Sequence, residues 1–179
     1  YFVYQDVLFI CLNTEDPPAK QFSQAQLDFV ERTLARFPDV RHTLFFMHVP
    51  LWLYPHDSNF DDFEALVQGR EHTLFAGHTH TYTKFRRNDA NYYVLGTTGG
   101  GSQLQGPNYG QFDHLMWVTM TDDGPVVANL MLDGIKSGNV RTQGMVDMLR
   151  PVLNGAAVVA DPVRVDGGSF AQGRTQLRI

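Results

Sequence analysis

Apolar positions along this chain come in short runs set between polar, turn-forming segments. Val7-Leu8-Phe9-Ile10-Cys11-Leu12, Thr43-Leu44-Phe45-Phe46-Met47 and Thr73-Leu74-Phe75-Ala76 have the length and the β-branched and aromatic content of strands buried on both faces. Before the first run, Tyr1-Phe2-Val3 predicts a further strand, with a turn at Tyr4-Gln5-Asp6. Between the first two runs the period changes. Leu27, Val30, Leu34 and Phe37 recur every three or four residues, Ser23 and Gln26 stand at capping-box spacing, and Pro38 stops the pattern. Strand, helix, strand is a βαβ unit, which favours a parallel pair.

Farther on, Leu51 to Asp62 lacks periodicity and reads as a long loop, followed by a short helix over Asp61–Val67. Thr81–Phe85 and Tyr92–Leu95 flank a turn at 87–91 and predict antiparallel strands. Gly96-Thr97-Thr98-Gly99-Gly100-Gly101-Ser102 reads as a flexible loop and lacks the spacing of a nucleotide-binding fingerprint. Leu115–Met120 and Val126–Leu132 form a hairpin around residues 121–125. A helix is expected within Asn139–Leu153, and Val158–Ile179 reads as a loosely structured tail with one strand. The fold class expected is therefore mixed α/β (α+β), a mixed sheet flanked by helices and closed by a C-terminal hairpin. The organisation expected is a domain over residues 1–134 and a partly helical or irregular extension over 135–179.

Composition narrows the function classes. Fourteen Lys and Arg against nineteen Asp and Glu give a net charge of −5, and no basic tract offers itself to a phosphate backbone. No nucleic-acid partner is expected. No apolar stretch approaches the ~20 residues that span a bilayer, so no membrane partner is expected either. The single Cys11, read as a small hydrophobe in its apolar run, cannot form an internal disulfide and leaves the compartment open.

The chemistry lies just past two of the strands. Met47-His48-Val49-Pro50 ends one, because Pro50 has no amide hydrogen with which to continue a ladder. Gly77-His78-Thr79-His80 ends the other, where in extended chain His78 and His80 would point the same way. A lone histidine after a strand is an ordinary solvated residue, but two such signatures, one paired, argue for a metal held by His48, His78 and His80. His114 and His56 are candidates to touch substrate at the rim. His42 and His72 precede their strands at the opposite ends and are expected on the surface.

In this order the motifs resemble the second half of a calcineurin-like metallophosphoesterase, over roughly residues 1–134. The resemblance implies half of a β-sandwich flanked by helices, with His48 and His78 on one divalent metal and His80 on another. The metals implied are Mn, Zn or Fe, a dinuclear pair in the intact family domain, activating water against a phosphate mono- or diester. The family's Asp-X-His, Gly-Asp and Gly-Asn-His motifs do not occur in this chain. The expectation is accordingly a truncated domain with one bound ion or none, and weak or no activity. An apolar sheet face left open would drive self-association. Two other functions fit the residues: a non-catalytic scaffold or oligomerisation module, and a mononuclear His-site hydrolase.

Overall fold

The computed structural model describes residues 1–16, 19–153, 159–160 and 177–178. The chain forms two compact units, Tyr1–Gln143 and Gly144–Ile179. The fold class is α+β, as the periodicity predicts.

In the first unit, strands β1 (Phe2–Tyr4), β2 (Val7–Cys11), β3 (His42–Phe46), β4 (His72–Ala76), β5 (Thr83–Arg87) and β6 (Ala90–Val94) make one mixed sheet in the order β1-β2-β3-β4-β6-β5. Its centre, β2, β3, β4 and β6, is parallel, and the edges β1 and β5 are antiparallel to their neighbours. Both edge hairpins close through two-residue turns with positive φ at each residue, Gln5-Asp6 and Asn88-Asp89. Such turns match the twist of the strands they join.

Helix α1 (Gln24–Arg36) and helix α2 (Phe60–Leu66) cover one face. Leu27, Val30 and Leu34 from α1 and Phe60 and Phe63 from α2 pack on Leu8, Ile10, Phe45, Leu74 and Tyr92. The segment after β3 is not all solvent-facing loop: Leu51 and Trp52 turn inward as a short 3-10 turn and join this core. Ser23 caps α1 by accepting from the Gln26 amide. The Gln26 side chain does not return to Ser23; it reaches Asn13, with consequences for the loop after β2.

The other face carries a ladder of near-parallel rings. Phe2, Phe9, Phe46, Phe75 and Tyr93 stack across five strands at centroid distances of 4.5, 6.3, 5.4 and 5.5 Å. Over it lies an antiparallel sheet of β7 (Leu115–Thr121), β8 (Gly124–Met131) and β9 (Gly134–Ser137). Met116, Val118, Met120, Val127 and Met131 supply its inner side. The expected hairpin thus gains a third strand, which the turn residues around it hide in the sequence.

Three residues depart from expectation on burial. His42 and His72 are buried, at 5% and 4% exposure, because they begin central strands rather than loops. His42 Nε2 lies 3.0 Å from Thr73 Oγ1, and His72 donates through Nδ1 to the Arg70 carbonyl. Cys11, by contrast, is exposed at the last position of β2.

Past β9, residues 139–142 run along β5, with the Lys84 amide donating to the Arg141 carbonyl. The Arg141 guanidinium in turn bonds the Tyr82 carbonyl and the Thr83 hydroxyl. Gly110 sits beneath this knot at φ +72°, where an added Cβ would overlap the Tyr82 carbonyl oxygen. Gly110→Ala should therefore lower stability by about 2 kcal/mol, read as a shift in the urea midpoint at unchanged slope.

In the second unit, helix α3 (Gln143–Leu153) includes Pro151, and the two-residue strands β10 (Val159–Ala160) and β11 (Leu177–Arg178) pair antiparallel. The tail expected to hold one strand holds these two; the rest of it lies outside the described residues. No described helix is long and apolar enough to cross a membrane.

Candidate metal centre

All four parallel strands end at the same rim; the loops after β2, β3 and β4 bring one donor each to a common group, and the loop after β6 holds His80 beside it. The end of a parallel sheet toward its strands' C termini is where open α/β sheets collect ligands. The loop after β2 brings Glu15, the loop after β3 His48, the loop after β4 His78 and His80, and the loop after β6 the glycine-rich segment.

His48 and His78 meet. Nε2 of His48 lies 3.3 Å from Nδ1 of His78, and the two rings stand nearly perpendicular at 86°. Two nitrogens held at ~2.0–2.1 Å from one tetrahedral cation are about 3.3 Å apart, so the pair already has the spacing of ligands on a shared ion. The backbone fixes it, since the Gly77 amide donates to the His48 carbonyl at 2.9 Å and ties the two strand ends together. A third donor stands beside them: the Glu15 carboxylate and the two imidazole nitrogens all lie within 4.8 Å of one another. All three residues are exposed.

The approach differs from the extended chain that the sequence predicts. Both His78 and His80 have positive φ, 69° and 55°, so Gly77-His78-Thr79-His80 is a bent segment rather than a strand continuation. Left-handed backbone at a non-glycine residue costs on the order of 1 kcal/mol and concentrates at working sites. His80 stays out of the Glu15–His48–His78 group. Its Nδ1 meets the Gly101 carbonyl at 2.5 Å, and because a carbonyl only accepts, Nδ1 is the donor and Nε2 faces away from this bond. Orienting an imidazole in this way is what outer partners do for metal-binding histidines.

The glycine segment, expected to be a flexible loop, is pinned along its length. Asp113 accepts from the Thr97 hydroxyl at 2.5 Å and the Gly99 amide at 2.9 Å, and these two bonds hold its carboxyl below the ordinary carboxylate range. His114 accepts the Gly96 amide on Nε2 at 3.0 Å and donates through Nδ1 to Asn129 at 2.7 Å. It is buried, its pKa is lowered chiefly by that burial, and both ring nitrogens are occupied within the fold. Instead of lining the rim for substrate, His114 fastens the loop that holds His80. His56 is exposed in the turn after the 3-10 segment and is not part of the Glu15–His48–His78 group.

Sequence reading missed Glu15. The signal was topological: a carboxylate four residues past the end of β2, the strand next to β3, in the same row of loops. A cleft of about 720 Å³ lies at the other end of the sheet, between α2, the start of β4 and the β5–β6 turn. There Glu64 takes Arg87 in a two-pronged ion pair at 2.9 and 2.7 Å and lies 3.2 Å from the Tyr92 hydroxyl, so those charges serve one another.

Comparison with known proteins adds no family: no protein-family model matches the chain, and no curated protein matches it.

Proposed function

We propose that the rim at the ends of β3 and β4 is a metal-dependent phosphoesterase centre acting on phosphate mono- or diesters. The observation that carries this reading is the 3.3 Å approach of His48 Nε2 to His78 Nδ1 from two separate strand ends. The order of the histidine motifs along the chain supports it. A divalent ion of the Zn, Mn or Fe kind would polarise a phosphoryl oxygen and activate water. The chain's own part is to offer two imidazoles at fixed spacing and to keep the His80 ring oriented through Gly101.

The test is hydrolysis of an aryl phosphate and an aryl phosphodiester by purified protein with added Mn or Zn. Slow, saturable turnover that a chelator removes is the result expected. No turnover of either ester by protein carrying metal would overturn the reading.

A second reading, a self-associating scaffold, is favoured by the outer side of the three-stranded sheet. Leu115, Trp117, Val126 and Ile135 are 60–71% exposed there, and cross-strand pairing of Leu115 with Leu130 and of Leu130 with Ile135 makes them one patch. Contiguous apolar surface of this kind commonly marks an interface. Light scattering at about 100 μM should then show oligomers that Trp117→Glu disperses; a monodisperse parent protein would remove the scaffold reading.

A further inference from the structure

We infer that Glu15, His48 and His78 form a site for a single divalent cation, a two-histidine, one-carboxylate set with its fourth position open. It rests on the reading above only in using the same two imidazoles, and it departs from the dinuclear centre that the motif resemblance implies.

Glu15 is held where a ligand is needed. Asn13 Oδ1 accepts the Glu15 amide at 2.9 Å, closing a turn that fixes the Glu15 backbone. Gln26 grips that turn from α1, accepting the Asn13 amide at 2.8 Å and donating to the Asn13 carbonyl at 2.6 Å. Thr14, almost wholly buried, accepts the Val49 amide on its hydroxyl at 2.9 Å. That bond joins the residue before Glu15 to the residue after His48. The loop after β2 and the loop after β3 are thus clamped together one residue from each donor, with the three donor atoms within 4.8 Å of one another.

The donor set suits a borderline cation. Two neutral imidazoles set the 3.3 Å tetrahedral edge, and one carboxylate offsets part of the double charge. Two histidines and a glutamate are a known set for catalytic zinc, leaving a coordination position for water or substrate. His80 lies outside the group and its Nδ1 is committed to Gly101.

Calorimetric titration of metal-free protein with Zn²⁺, paralleled by the visible spectrum of the Co²⁺ form, tests the assignment. One equivalent should bind, Co²⁺ should give the intense bands of four-coordination, and Glu15→Gln should weaken Zn²⁺ at least tenfold, with Glu15→Asp intermediate. Parent-like affinity in Glu15→Gln, or two equivalents of comparable affinity, would overturn it. Circular dichroism of each metal-free variant confirms that the fold is intact. The outcome is separate from hydrolysis: one ion bound through Glu15 without ester turnover would leave this site standing and remove the phosphoesterase, whereas turnover that survives Glu15→Gln with unchanged affinity would do the reverse.

Discussion

In metal-free solution, acidification from pH 7 to pH 4 will lower the unfolding free energy by roughly 3 kcal/mol through His42 alone. Burial depresses the His42 pKa from 6.5 to about 4, and the neighbouring His72 and Arg41 charges push the same way. The sign follows from proton counts. With the folded pKa below the unfolded one, the unfolded chain binds the extra proton first, so the neutral imidazole's stabilisation is complete above pH 6.5 and drains away toward pH 4. His72 and His114 are lowered by the same cause, burial, and add to the loss; for His72 the Arg70 carbonyl, Glu64 and Glu71 oppose it. Asp113 is depressed below 3.8, so its own contribution fails only at lower pH and does not blur the window. Urea midpoints taken every half unit should show His42→Gln reducing the slope between pH 5 and 6 by about 1.4 kcal/mol per pH unit, the value of one proton. An unchanged slope would mean His42 is not the titrating group.

His78→Ala should weaken Zn²⁺ binding at least about 100-fold, more than the 10- to 100-fold typical of losing an outer partner, and abolish the proposed ester hydrolysis. The imidazole is exposed and its nearest polar neighbour is His48, so the metal-free fold should change by less than about 1 kcal/mol. Binding to the native state alone stabilises it by about 2.7 kcal/mol at a hundredfold excess over Kd. The parent protein's melting temperature should therefore rise with zinc and that of His78→Ala should not. Equal rises in both would place the zinc elsewhere.

How far the residues announced all this depends on what each signal was local to. The Ser23 cap, the α1 stripe of Leu27, Val30 and Leu34, and the strand runs around Leu8, Phe45 and Leu74 are local, and the structure places them within a residue or two of expectation. His48 past a strand end was legible for the same reason. What was not legible depended on neighbours in space. His42 and His72 are polar residues at strand starts, and only the sheet order shows them to be interior. The bent backbone at His78 and His80 has no local signal, and the β6 loop that holds the His80 ring has glycines that look flexible until Asp113 and His114 are seen to pin it. Glu15 had no motif at all; Gln26 and Thr14, reaching across from α1 and to Val49, bring it to the histidines.

The most direct measurement is zinc K-edge X-ray absorption on protein loaded with one equivalent of Zn²⁺. Two imidazole nitrogens at ~2.0–2.1 Å, both lost from the spectrum in the His48→Ala, His78→Ala double variant, are predicted. A first shell of oxygen alone, or an imidazole signal untouched by that double variant, would contradict the convergence of His48 and His78 on one ion.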